Sequence, residues 1–208
     1  MWNTDFLVAT GYWDHISVGL AVPVYFYLNG TDFNTLQSFN AAAMGDVRFD
    51  FKYRLLKETE GKPAIAIFSR LIFPTGSQSK WTGDRGVTWE YRLVADKTLG
   101  RFQVFANAGM KIQKSVAVFS SEYGDAFTFG TAARYQFPWQ KNSWAAEAEL
   151  SGKAYLTDTQ ASSVPLELRI SGRRCLKDKS INFGIGKGLT DAVGSPDFRI
   201  FGGFKWQF

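Results

Sequence analysis

The sequence contains a single cysteine, Cys175, and a single histidine, His15, among its 208 residues. One cysteine excludes an internal disulfide, and no cluster of Cys, His and Asp has the spacing of metal ligands. No stretch approaches the ~18 consecutive uncharged apolar residues that a membrane-spanning helix requires. The net charge is +5, but the lysines and arginines form no block of the kind that binds nucleic acid. We therefore expect no cofactor, no metal and no nucleic-acid partner.

The sequence is instead rich in aromatic residues, at 16%, and contains 20 glycines, a balance that suits strands joined by turns. Apolar and polar residues alternate with period two, which indicates strands with one apolar and one polar face. Residues 46–55 show this most clearly, with one face carrying Val47, Phe49, Phe51, Tyr53 and Leu55 and the other carrying Asp46, Arg48, Asp50, Lys52 and Arg54. Each such segment has about nine to thirteen residues, close to the length of a tilted transmembrane strand.

The alternating segments predict an all-β fold: a transmembrane antiparallel up-and-down β-barrel of about ten strands, with twelve as the alternative. We expect one domain over residues 1–208, with residues 14–208 as the main barrel. Residues 1–13 contain a weaker alternating segment that either adds a strand or plugs the lumen. Short turns alternate with longer loops along the chain, as they do on the two rims of an outer-membrane barrel.

The apolar faces of the segments are nearly free of charge, as expected of a lipid-facing surface, where a charge at mid-bilayer costs about 2–4 kcal/mol. A soluble, lipocalin-like barrel with its apolar face inward is the alternative. Aromatic residues collect beside the short turns, which favours the membrane orientation because such rings form girdles at the bilayer interface. The predicted girdle consists of Tyr12, Trp13, Tyr53, Phe137, Trp139, Trp144 and Trp206.

The polar faces carry charges of both signs, which in the membrane orientation point into the lumen and must be paired or hydrated. The predicted lumen charge network consists of Asp46, Arg48, Asp50, Lys52, Arg54, Arg70, Glu90, Arg92, Lys111, Arg134, Glu147, Glu149, Lys153, Glu167, Arg169, Arg173 and Arg199.

The segments "GDVRFDFKYRLL", "FPTGSQSKWTGDRG", "NAGMK", "VPLELRISG" and "GSPDFRIFGGFKWQF" resemble small bacterial outer-membrane β-barrels of the OmpA-like or porin-like type. This resemblance implies a multi-pass protein of the outer membrane of a Gram-negative bacterium, surrounded by the lipid bilayer and its lipopolysaccharide. It also implies that Phe204, Trp206 and Phe208 form an assembly signal that the barrel-assembly machinery reads during insertion.

The resemblance leaves three functions open. In the first, the charges pair with one another in a largely filled or narrow lumen, and the protein has a structural role. In the second, water fills a pore for small solutes, and the excess of positive charge favours anions. Surface adhesion through the extracellular loops is the third. Outer-membrane barrel enzymes need a histidine near the outer leaflet, whereas His15 falls at a short turn on the opposite rim. We therefore expect no enzymatic activity and no catalytic residues.

Overall fold

The computed structural model describes residues 2–31, 38–77, 80, 82–118, 121–139, 143–156, 164–192 and 194–206. These residues form fourteen β-strands: β1 (Trp2–Tyr12), β2 (Ile16–Thr31), β3 (Ser38–Met44), β4 (Val47–Leu56), β5 (Ala64–Phe73), β6 (Thr88–Leu99), β7 (Phe102–Ile112), β8 (Val116–Val118), β9 (Ser121–Tyr123), β10 (Ala126–Gln136), β11 (Trp144–Tyr155), β12 (Leu166–Leu176), β13 (Lys179–Gly188) and β14 (Arg199–Trp206).

Twelve of these strands form one antiparallel sheet in the order β1-β2-β4-β5-β6-β7-β10-β11-β12-β13-β14, with β3 also paired to β2. Strands β8 and β9 form a separate hairpin. The predicted all-β, up-and-down architecture is confirmed, but the sheet has twelve strands, the alternative count, so the preferred count of about ten is wrong. Two strands account for the difference. Residues 2–12 form β1, and residues 38–44 form β3, which ends just before Gly45 and Asp46.

Strand β1 pairs with β2 along its whole length, from Trp2 opposite Tyr27 to Tyr12 opposite Ile16. The turn between them places two non-glycine residues in the left-handed region, Trp13 at φ 47° and Asp14 at φ 57°. Positive φ at both central residues defines the mirror-image turn whose twist matches that of the flanking strands. Residues 2–12 are thus a strand of the sheet.

The chain forms two compact units. Unit 1 comprises Met1–Leu55, Ala66–Arg92 and Met110–Asp125, and unit 2 comprises Leu56–Ile65, Leu93–Gly109 and Ala126–Phe208. The contacts described below lie within one unit or the other. A single domain over residues 1–208 stays a prediction.

Large apolar side chains are not buried in the described part of this protein, where the buried apolar residues are five alanines and the prolines Pro23 and Pro165. In unit 1, Trp89 is 45% exposed, whereas its neighbours Thr88 and Glu90 are 0% and 8% exposed. In unit 2, Ile170 and Phe183 are more than half exposed. Each unit therefore has an apolar face that is exposed and a charged face that is sheltered, the reverse of a soluble domain. The described residues include no helix with the length and apolarity needed to cross a bilayer.

The connections between strands alternate in length. Short turns occupy 13–15, 57–63, 100–101 and 177–178, and longer connections occupy 74–87, 113–125 and 189–198. In the turn between β6 and β7, Gly100 has φ +63° and a Cβ added there would meet no atom within 4 Å. Glycine is needed at this position for its backbone conformation alone.

We predict that Gly100→Ala lowers the free energy of unfolding by about 1 kcal/mol, because alanine is strained at positive φ. Gly61, in the turn between β4 and β5, provides a matched control because it also has open space around it and carries no positive φ. Gly61→Ala should leave stability unchanged or raise it by about 0.4–1 kcal/mol. Urea unfolding of the vesicle-bound protein measures both, and equal effects of the two substitutions would contradict the prediction.

Candidate functional site on the charged face

The charged face of unit 1 is organised by arginine–carboxylate pairs. Arg70 makes a bidentate pair with Asp50, with its Nε 2.7 Å from Oδ1 and its Nη2 2.8 Å from Oδ2. Arg92 pairs with Glu90 at 3.1 Å. Because arginine stays charged and its fork matches a carboxylate, these pairs neutralise charge that is partly removed from water.

Arg48 of β4 pairs with Asp5 of β1 at 2.5 Å, although β2 lies between these strands. In the register of β2, Ala21 lies opposite Arg48 and Pro23 lies opposite Asp5. Small side chains at these positions leave the two charged groups free to meet across the strand. Asp5 is not a member of the predicted charge network, because the sequence of residues 1–13 is compatible with either an extra strand or a plug.

Asp46 is a predicted member of the charge network, and its carboxylate holds a loop. It is buried and accepts hydrogen bonds from the backbone N–H groups of Gly76 at 2.8 Å and Asp84 at 2.6 Å. The fully buried Thr88 donates its hydroxyl hydrogen to Asp84 at 3.0 Å. The Asp46 carboxylate, which lies between β3 and β4, therefore holds both ends of the connection between β5 and β6.

In unit 2, the pairs follow directly from strand register. Arg134 lies opposite Glu147, and its Nε is 2.7 Å from the glutamate Oε2. Arg169 lies opposite Glu149 and donates a hydrogen bond to it. Arg199 of β14 is the exception, because it lies 3.6 Å from Glu167 of β12 across the intervening β13 and has Gly186 opposite it. Residues directly opposite on one face of a sheet are the natural partners for such pairs.

A cavity of about 240 Å³ lies on the charged face of unit 2, between the Arg134–Glu147 and Arg169–Glu149 pairs. Arg173, Asn182 and Phe201 complete its lining together with Ser171 and Ala145. The structure thus brings five predicted network residues together at one site: Arg134, Glu147, Glu149, Arg169 and Arg173.

The other predicted network residues do not line this cavity. Lys52 is exposed, and Lys111 is partly buried on β7. Arg54 donates a hydrogen bond to the backbone carbonyl of Asp14 in the first turn. Lys153 lies 5.2 Å from the ring centre of Tyr155.

Of the predicted girdle residues, Tyr12, Trp144 and Trp206 are terminal residues of β1, β11 and β14, Trp13 lies in the first turn, Tyr53 lies within β4, and Phe137 and Trp139 follow β10. Trp13 is the most exposed large side chain of the first turn, at 83%. The rings of Phe137 and Trp139 stack with centres 4.7 Å apart. Cationic side chains lie over the rings of two other predicted girdle residues: Arg174 over Trp144 and Lys179 over Trp206.

Of the predicted assembly signal, Phe204 and Trp206 are exposed on β14, and Phe208 lies outside the described residues. His15 lies in the first turn, with its ring centre 6.5 Å from that of Tyr53. In the part of the chain that the structure describes, no three His, Cys, Asp or Glu side chains are grouped so that they could hold a metal.

Glu58 anchors the turn between β4 and β5 to the end of β6. Its carboxylate accepts hydrogen bonds from the backbone N–H of Thr98 at 2.6 Å and from the Thr98 hydroxyl at 3.0 Å. Lys97 reaches the same turn, donating to the backbone carbonyls of Thr59 and Glu60. The hydrogen bond from the Thr98 N–H holds the pKa of Glu58 below its ordinary value, and the nearby Lys97 acts in the same direction.

We predict that Asp46→Ala speeds amide exchange at Gly76 and Asp84, because both N–H groups lose a buried acceptor. Each group left without a partner costs about 1–3 kcal/mol. Asp46→Asn keeps one acceptor oxygen and should have a smaller effect. Hydrogen exchange measured residue by residue tests this, with the exposed Asp197→Ala as control. Unchanged exchange at the two amides in Asp46→Ala would show that the carboxylate does not hold the loop.

We predict that Glu58 makes stability depend on pH. Because its folded-state pKa is lowered, Glu58 stabilises the fold above its unfolded-state pKa, and this contribution is lost as pH falls through the folded-state pKa. Between neutral pH and about pH 3, the free energy of unfolding should therefore fall less in Glu58→Gln than in the unmutated protein. Glu60→Gln, in the same turn, should follow the unmutated protein. Identical pH profiles for all three proteins would refute this role.

Comparison with known proteins finds a matching family model and matching solved structures. The family model described as "Putative MetA-pathway of phenol degradation" matches residues 1–198. The crystal structure of the COG4313 outer membrane channel from Pseudomonas putida F1 shares the fold, with a TM-score of 0.67 at 12% sequence identity, over 95% of this chain and 79% of that one. No curated protein matches the sequence. The predicted resemblance to outer-membrane proteins is supported at the level of the fold, and its assignment to the OmpA-like type stays a prediction. The family model covers nearly the whole sequence, so the chain belongs to the family described as "Putative MetA-pathway of phenol degradation".

Proposed function

We propose that this protein is a channel in the outer membrane of a Gram-negative bacterium. The observation that carries the proposal is the reversed distribution of side chains, with large apolar groups exposed and arginine–carboxylate pairs sheltered. In water, such an apolar surface would drive aggregation, whereas against acyl chains it is the stable arrangement. The shared fold with an outer membrane channel supports the same function.

The proposal includes closure of the sheet into a barrel, since an open edge in lipid leaves backbone groups without partners at several kcal/mol each. The aromatic residues at the short turns would then lie at the membrane interface, within a bilayer that carries lipopolysaccharide. The exposed aromatic groups of β14, Phe204 and Trp206, fit a strand that the assembly machinery recognises. A sheet in lipid therefore needs closure, whereas a sheet in water can keep an open edge.

The charged face would line the path for solutes. Several of its arginines are neutralised by carboxylates, whereas no carboxylate of the described residues lies within ion-pair distance of Lys52, Lys111 or Arg173. A lining with excess positive charge favours anions. The family match and the fold shared with an outer membrane channel together favour a channel over a purely structural protein with a filled lumen. Surface adhesion through the longer connections stays a prediction.

We predict that the purified protein gives discrete conductance steps in a planar lipid bilayer and that its reversal potential in a salt gradient shows anion preference. The double variant Lys52→Gln/Lys111→Gln should shift that potential towards no selectivity, because it removes two cations from the proposed lining. Lys187→Gln is the matched control, since Lys187 lies exposed on the apolar face of β13 beside Ile185. A folded protein that inserts and stays silent would overturn the channel.

A further inference from the structure

We propose that the cavity beside Arg173 in unit 2 binds a small aromatic monocarboxylate. The cavity has a volume of about 240 Å³ and is lined by residues of β10 to β14. This inference deepens the proposed function and rests on it for a role in transport, whereas the binding itself depends only on the cavity.

The strand register leaves Arg173 as the one arginine of the cavity with no carboxylate opposite it. Arg134 lies opposite Glu147, and Arg169 lies opposite Glu149. Arg173 instead lies between Ala145 on β11 and Asn182 on β13, neither of which can neutralise it. Among the described residues, no carboxylate lies within ion-pair distance of its guanidinium.

The charges of the lining therefore sum to one positive charge, with three arginines facing two glutamates. That balance suits a ligand with a single negative charge, because a partly sheltered charge is stable only when it is paired or hydrated. A carboxylate could accept from the fork of Arg173 in bidentate geometry.

One wall of the cavity is apolar, which indicates that the ligand has an apolar group in addition to its carboxylate. Phe201 lies on β14 opposite Gly184 of β13. A Cβ at Gly184 would come within 2.5 Å of the Phe201 ring and 2.7 Å of the Ser171 Cβ, so glycine is what lets the ring lie over the sheet here. Ala145, on the far side of Arg173, is buried and small. An aromatic ring next to a carboxylate fits this combination of Phe201 with Arg173.

The size of the cavity limits the ligand to a small molecule. Sites for drug-sized ligands usually enclose roughly 300–1,000 Å³, and this cavity lies just below that range. A bare inorganic anion would satisfy Arg173 but leave the Phe201 wall without contact. Benzoate is therefore the natural probe.

The experiment is calorimetric titration of the folded, detergent-solubilised protein with benzoate, acetate and benzyl alcohol. We expect benzoate to bind at one site, and acetate and benzyl alcohol to bind at least about tenfold more weakly, since each lacks one of the two recognised groups. Arg173→Gln should weaken benzoate binding by about tenfold to a hundredfold, the range expected for a lost charge-assisted hydrogen bond. Arg173→Lys should restore part of it, and Phe201→Leu should weaken benzoate but not acetate.

Arg174→Gln is the matched control because it removes the same charge one residue along β12, from a side chain that lies over Trp144 instead of lining the cavity. Its benzoate affinity should equal that of the unmutated protein. The inference is overturned if the unmutated protein does not bind benzoate, if acetate binds equally well, or if Arg174→Gln loses as much affinity as Arg173→Gln.

The same preparations separate this inference from the proposed function. Conductance without benzoate binding would overturn the site and leave the channel in place. Benzoate binding by a protein that is silent in the bilayer would overturn the channel and leave the site.

Discussion

Each strand of this protein places every second side chain on the same face, and that geometric constraint decides where all of its charges lie. The charged residues share one face with threonines, glycines and alanines, and the large apolar residues share the other. Neither face resembles the core of a soluble domain, because bulky apolar groups are the exposed ones. The stability of the sheltered face therefore depends on the pairing of charges and not on the burial of apolar surface.

Pairing is achieved by register. In unit 2, arginine and glutamate lie directly opposite each other at Arg134–Glu147 and Glu149–Arg169, so a slip of one residue would place every pair on the wrong face. In unit 1, Arg48 and Asp5 meet across an intervening strand because Ala21 is small. Small residues on the charged face are thus as important as the charged ones, since they provide the space in which the long side chains meet.

Much of the fold could be predicted from the sequence because period-two alternation is a strong signal over ten or more residues. The strands that the prediction missed are those with weak alternation. Strand β3 contains three consecutive alanines, and the weak alternation of β1 is compatible with either an extra strand or a plug. The charged positions could be predicted because they alternate with aromatic ones. Their partners could not, since Asp46 binding to the N–H groups of Gly76 and Asp84 depends on a loop path that no local pattern specifies.

Strand β2 has 16 residues, and its second half pairs with β3 through a bulge between Tyr25 and Leu28. At about 3.3 Å per residue, its contour is about 50 Å, whereas the apolar band of an outer-membrane protein is about 25 Å tall. At a tilt of about 45°, this strand would rise about 35 Å in the proposed barrel and so extend beyond the apolar band on the side of the longer connections. In the proposed barrel, the part of β2 that pairs with β3 would therefore project from the apolar core of the bilayer and present backbone hydrogen-bonding groups to water.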